Sequence, residues 1–212
     1  SANAEGAAAT ETLPRRFPVE SLDMPADVIV ADPQVNATRS AYFGDLHVHT
    51  TYSFDAFAFG TVATPDDAYR FAQGEAIEHP AGFEVKLRAP LDFYAVTDHA
   101  QFLGGVEAAA DPSTDFSRLP HVQGLHNMNA RENRTVDGLV ERVTTFRGFI
   151  PQTRAGVADG SIDLEMVNRI ARNAWADIVA AAQRHYRPGS FTTFVAYEYT
   201  SSSNDRGNHS IK

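Results

Sequence analysis

Residues 44–56, GDLHVHTTYSFDA, place two histidines and two aspartates within one short apolar stretch. In an extended chain, residues i and i+2 share a face. Asp45, His47 and His49 therefore line one face, and Leu46 and Val48 are expected to pack on the other. Two imidazoles so spaced can reach one metal ion at about 2.0–2.1 Å per bond. Asp45 is placed to orient a ligand histidine through its second ring nitrogen. Asp55 follows a turn that can bring it back to the same pocket, or it is a turn or cap aspartate. Ser53 reads as a turn residue.

Two further segments end in similar chemistry. LDFYAVTDHA delivers Asp98 and His99 at the end of an apolar run. Neighbours on a strand point to opposite faces, so the pair divides into one ligand and one supporting partner, or it is a plain strand exit with a capping Asp. FTTFVAYEYTSS carries Glu198 inside an apolar strand, where a carboxylate needs a cation. A metal would serve, and one carboxylate can bridge two ions about 3.5–4 Å apart. The alternative is a rim Glu paired with a distant Arg. His209 lies in a Gly/Asn-rich loop; His79, His121, His126 and His185 read as surface or structural.

The elements that must position these groups follow from the pattern. AYFGDLHVHT, LDFYAVTDHA and FTTFVAYEYTSS read as buried strands, and GFEVKLR as an edge or hairpin strand. TPDDAYRFAQG is a short helix with Thr64 as N-cap, Pro65 at its first position and Gly74 as its stop. Ile162, Val167, Ile170, Ala174, Ile178 and Ala182 recur at helical spacing before Pro188-Gly189. Residues 104–160 read as a helical insertion of short amphipathic pieces, and residues 1–40 as an extended arm. The order strand, helix, strand, helices, strand defines an α/β fold with a parallel sheet. Each of its three best strands ends in candidate ligands, where α/β barrels carry their chemistry.

Composition narrows the function. The 212 residues carry a net charge of −9, which argues against a duplex nucleic-acid partner. There is no cysteine, so any metal must sit on His, Asp and Glu, favouring zinc, manganese or iron. No apolar run is long enough for a membrane span. Ala2-Asn3-Ala4 fits either the end of a secretory signal or an expression scar. The first reading implies a periplasmic or secreted protein, and the second is compatible with the cytoplasm. Neither a G-x-S-x-G elbow nor a G-x-x-x-x-G-K loop is present.

GDLHVHTTYSFDA, AVTDHA and the Glu of AYEYTS resemble the polymerase-and-histidinol-phosphatase (PHP) superfamily. AYFGDLHVHTTYS and LDFYAVTDHAQFLG are closest to its DUF3604-type bacterial branch. The resemblance covers residues 39–105 and 190–210. It implies a distorted seven-stranded (βα)7 barrel with two or three divalent ions at the C-terminal strand ends. It assigns His47 and His49 to the first ion and Glu198 to a bridge with the second. His99 goes to the third ion, with Asp55 where many members have histidine, and His209 corresponds to a second-metal ligand. Asp45 and Asp98 remain as supporting groups.

The expected activity is hydrolysis by metal-activated water, foremost of a small phosphorylated substrate. Amide or other ester hydrolysis, or a non-catalytic binding module with a vestigial pocket, are the alternatives. Residues 41–212 then form the N-terminal part of such a domain, because a full barrel takes about 250 residues. The expected partner is the C-terminal remainder of the same polypeptide, held as a second chain or lost by truncation.

Overall fold

The computed structural model describes residues 40–134, 139–203 and 207–211. The arm expected over 1–40 thus lies almost wholly outside the described residues. In chain order the elements are β1 (Gly44–Asp45), α1 (Phe54–Ala58), α2 (Pro65–Ala72), β2 (Ile77–Glu78), β3 (Glu84–Val85), β4 (Phe93–Val96), α3 (Gly105–Ala110), α4 (Leu139–Asp159), α5 (Leu164–His185), β5 (Thr192–Val195), β6 (Tyr199–Ser203) and β7 (Gly207–Ile211). Three short 3-10 turns lie between α3 and α4. The fold is α/β: a parallel sheet in the order β1-β4-β5, with two separate antiparallel pairs, β2-β3 and β6-β7. No barrel is closed among the described residues.

Parallel neighbours require crossovers, and helices supply them. The crossover from β1 to β4 contains α2, whose start is a complete capping box. Thr64 Oγ1 accepts the Asp67 N–H at 3.2 Å, and the Asp67 carboxylate accepts the Thr64 N–H at 3.1 Å. Thr64→Ala removes one half of this pair and is expected to cost about 1 kcal/mol. A thermal melt should fall by about 2–4 °C for a chain of this size; an unchanged melting temperature would show that packing alone holds the helix start.

One face of the sheet is covered. Ala68, Tyr69 and Ala72 of α2 meet Ala174, Ile178, Ala181 and Ala182 of α5 over Tyr94 and Val96 of β4, with Phe191 closing the layer. Small residues let the helices lie close, and Tyr69 fills the gap between them. Its hydroxyl donates to the Phe194 carbonyl at 3.2 Å and accepts the Val96 N–H at 3.4 Å, so it ties α2 to two strands. A second core gathers Phe57, Val106, Phe116, Val122, Leu125, Phe149 and Ile162 beneath α3, α4 and the 3-10 turns. The buried Arg142 of α4 anchors this region by donating to Asn129 Oδ1 and to the Met128 and Asn133 carbonyls.

Several local expectations are corrected. The first strand was expected to be buried, with Leu46 packed. Instead Tyr42, Phe43 and Leu46 are exposed, as are Phe194 and Val195. Phe194 and Val195 are neighbours on β5 and point to opposite faces, so apolar side chains stay exposed on both faces at this end of the sheet among the described residues. The strand itself ends at Asp45. Of the short pieces expected around VDGLVERVTTF, residues 136–138 lie outside the described residues, and from Leu139 the chain forms one 21-residue helix that continues through Pro151. Ile162 is buried but precedes α5, which starts at Leu164 behind its Asp163 cap. No described helix is long and apolar enough to cross a membrane.

Candidate metal centre

The site forms where the three parallel strands run out. β4 and β5 pair from Phe93↔Thr192 to Val96↔Val195. The same register carries past the regular ladder to an isolated bridge between His99 and Glu198. Two backbone bonds, Glu198 N–H to the Asp98 carbonyl and Ala100 N–H to the Glu198 carbonyl, both at 2.9 Å, hold them side by side. On the other flank the Thr97 N–H donates to the Val48 carbonyl at 2.7 Å, and the Val48 N–H donates to Thr97 Oγ1 at 2.9 Å. Val48 is thereby pinned, and the histidines on either side of it turn toward the strand ends.

Glu198, almost fully buried, is the hub. Its Oε2 lies 3.1 Å from His49 Nε2 and 3.5 Å from His47 Nε2, and its Oε1 lies 3.4 Å from His99 Nδ1. Asp55 forms the second anionic pole: Oδ1 is 3.2 Å from His49 Nδ1, and Oδ2 is 3.3 Å from His99 Nε2. His49 and His99 thus lie between two carboxylates, and His47 meets Glu198. Two sets of three donors, His47–His49–Glu198 and His49–Asp55–His99, each keep their ligand atoms within 4.8 Å of one another.

The electrostatics follow from this interleaving. Burial works against a charged His49, but Asp55 and Glu198 outweigh it and raise its pKa. Burial also works against an ionised Asp55; hydrogen bonds from His49, His99 and Ser53 reverse it and hold the carboxyl far below the usual carboxylate range. The donors that would serve a cation are therefore ones that already favour anionic carboxylates.

Of the residues singled out in the sequence, the structure gathers His47, His49, Asp55, His99 and Glu198 in one cluster. His209 pairs with Ser201 in the β6-β7 ladder, and its side chain lies outside the described residues. Asp45 takes the His47 backbone N–H at 2.8 Å rather than a ring nitrogen, so it shapes the strand exit. Asp98 is fully buried and directs both oxygens to Thr50, one to its N–H and one to its hydroxyl at 2.6 Å. Of the histidines read as structural, His185 bonds Asp66 and Gln73, His121 bonds Thr153, and His126 bonds the Ser117 carbonyl.

Three contributors escaped the sequence reading. Ser53 Oγ touches both His49 and Asp55. Thr200 Oγ1 lies 2.6 Å from His99 Nδ1. Phe54 stacks on the His99 ring at 4.5 Å between centroids. Only Thr200 had a usable signal, two residues beyond Glu198 and so on its face of an extended chain. The mouth of the site is shallow and open, lined by Asp45, His47, His49, Asp55, Ala56 and Phe59.

An α/β protein with an imidazole–carboxylate cluster at its strand ends is the class these observations define. A family described as a protein of unknown function (DUF3604) matches residues 36–211, and the chain belongs to that family. No curated protein and no solved structure matches it.

Proposed function

We propose that this chain carries the metal centre of a hydrolase of PHP type, and that a phosphoester is its substrate. The observation that supports this is the pair of three-donor sets sharing His49. The donors are hard or borderline nitrogen and oxygen atoms without sulfur, a combination suited to zinc, manganese or iron(II). They converge at the C-terminal ends of parallel strands, where α/β enzymes hold their substrates. His47, His49 and Glu198 would hold one ion, and Asp55 and His99 would belong to a neighbouring one.

A divalent ion held there by these residues would supply Lewis acidity and a more acidic water. The chain's own contribution is orientation. Glu198 reaches all three rings and Asp55 reaches His49 and His99, Phe54 backs His99, and the exposed His47 and Phe59 flank the opening. The barrel that the PHP reading entails would place further strands beside this sheet.

A second reading has its own support. Among the described residues the mouth contains no Lys or Arg, so there a phosphate's charge would be met by metal, whereas a carboxylic ester or amide needs no such balance. Turnover of phosphomonoesters, phosphodiesters, carboxylic esters and amides should be compared with Mn²⁺, Zn²⁺ and Fe²⁺ added in turn. Metal-dependent release of phosphate supports the proposal. Turnover of acyl substrates alone replaces it with the second reading. A pocket that takes up no metal removes both and leaves a binding module.

A further inference from the structure

We propose that Ser53 is a positioning residue that holds His49 in its Nδ1–H form. This commits Nε2 to the ion shared with His47 and Glu198, and leaves the Asp55–His99 end as the weaker of two sites. The proposal rests on the metal-centre reading above and adds an order of affinity to it.

Ser53 occupies the N-cap position of α1, where a serine ordinarily accepts a bond from the first turn. Here its side chain makes no capping bond. It is fully buried, and its hydroxyl faces the cluster instead. Its Oγ lies 2.7 Å from Asp55 Oδ1 and 2.9 Å from His49 Nδ1, and it accepts the His99 backbone N–H at 3.3 Å.

A hydroxyl has one proton and two lone pairs. An ionised carboxylate only accepts, so the proton goes to Asp55. One lone pair takes the His99 N–H, and the other faces His49 Nδ1. That nitrogen must then be the donor. Asp55 Oδ1, 3.2 Å from the same nitrogen, makes the same demand. This oxygen also accepts the Ala56 N–H at 2.7 Å, so its acceptor capacity is directed at the chain.

The remaining lone pair of His49 is on Nε2, beside Glu198 Oε2 and near His47. One lone pair serves one ion. The two three-donor sets cannot both be complete, because they share His49. The His47–His49–Glu198 set keeps three donors. The other keeps Asp55 Oδ2 and His99 Nε2, and His99 Nδ1 is already engaged by Thr200.

The test uses the full 212-residue chain and Zn²⁺ alone, titrated calorimetrically. It also uses ¹H–¹⁵N spectra of the histidine rings, which show which nitrogen carries hydrogen. Wild type should bind one Zn²⁺ more tightly than a second, with His49 protonated at Nδ1 in the once-loaded protein. Ser53→Ala should weaken the tighter site about 10–100-fold, as loss of a ligand's orienting partner does. Ser53→Thr, which keeps the hydroxyl, should recover most of that loss. His49 carrying hydrogen at Nε2 in the loaded wild type overturns the proposal, even if Ser53→Ala fails to fold. So does a folded Ser53→Ala that binds the first ion as wild type does. A wild-type chain that takes up no Zn²⁺ instead overturns the metal-centre reading on which the proposal rests.

Discussion

Glu198→Ala is expected to abolish bound metal and turnover together. The buried carboxylate is in reach of all three imidazoles. Without it, the His47, His49 and His99 rings, with centroids 5.1 and 4.8 Å apart across His49, keep Asp55 alone, which reaches His49 and His99 but is not paired with His47. A cation between His47 and His49 would lose the buried carboxylate that balances its charge there. His49→Ala should behave alike, because it removes the ring common to both donor sets. The loss should exceed the 10–100-fold that follows from disturbing an orienting neighbour. Metal analysis of each purified variant beside its rate checks this. Full occupancy with no activity would assign these side chains to handling the substrate instead.

Asp98→Asn is expected to flatten the pH dependence of stability between about pH 4 and 6. Burial pushes the Asp98 carboxyl up to about 6, outweighing the bonds from Thr50 that favour its ionised form. An unfolded chain releases that proton near pH 3.9. Between the two values the native state holds a proton that the unfolded state has lost. Stability from this group is therefore complete below about pH 4, falls as pH rises, and is gone above about pH 6. A shift of about two units corresponds to ~3 kcal/mol. Asp55 acts in the opposite sense, since its depressed pKa favours the fold until acid protonates it. The comparison of wild type with Asp98→Asn separates the two. Urea unfolding of chelator-treated protein at several pH values provides the measurement, and parallel profiles would show that Asp98 does not set the slope.

The legible part of this molecule is the part governed by local rules. Thr64-Pro65 announces a helix start through local side-chain and ring chemistry, and the structure adds Asp67 as the other half of the cap. The run from Leu164 to His185 shows its buried stripe at Ala174, Ile178 and Ala182. His47 and His49, and the polar exits at Asp98-His99 and Glu198, stand out because charged groups interrupt apolar runs. The rest depends on relations between distant segments. Nothing in TTYSFDA distinguishes a capping serine from one that turns away from its helix toward His49. Alternation says which side Leu46 takes, but not whether another layer lies there, and Leu46 is exposed. The long helix Leu139–Asp159 was obscured by Pro151 and by polar residues on several sides.

The constant register between β4 and β5 has a consequence for how the protein matures. His99 meets Glu198 only after a crossover of about a hundred residues has closed, and His49 joins them across a separate one. Such distant contacts carry a large closure entropy and form slowly. A partly folded chain would present isolated histidines but no gathered set of donors. A metal ion would then act as a late arrival that recognises finished molecules and slows their unravelling, with little power to hasten their formation.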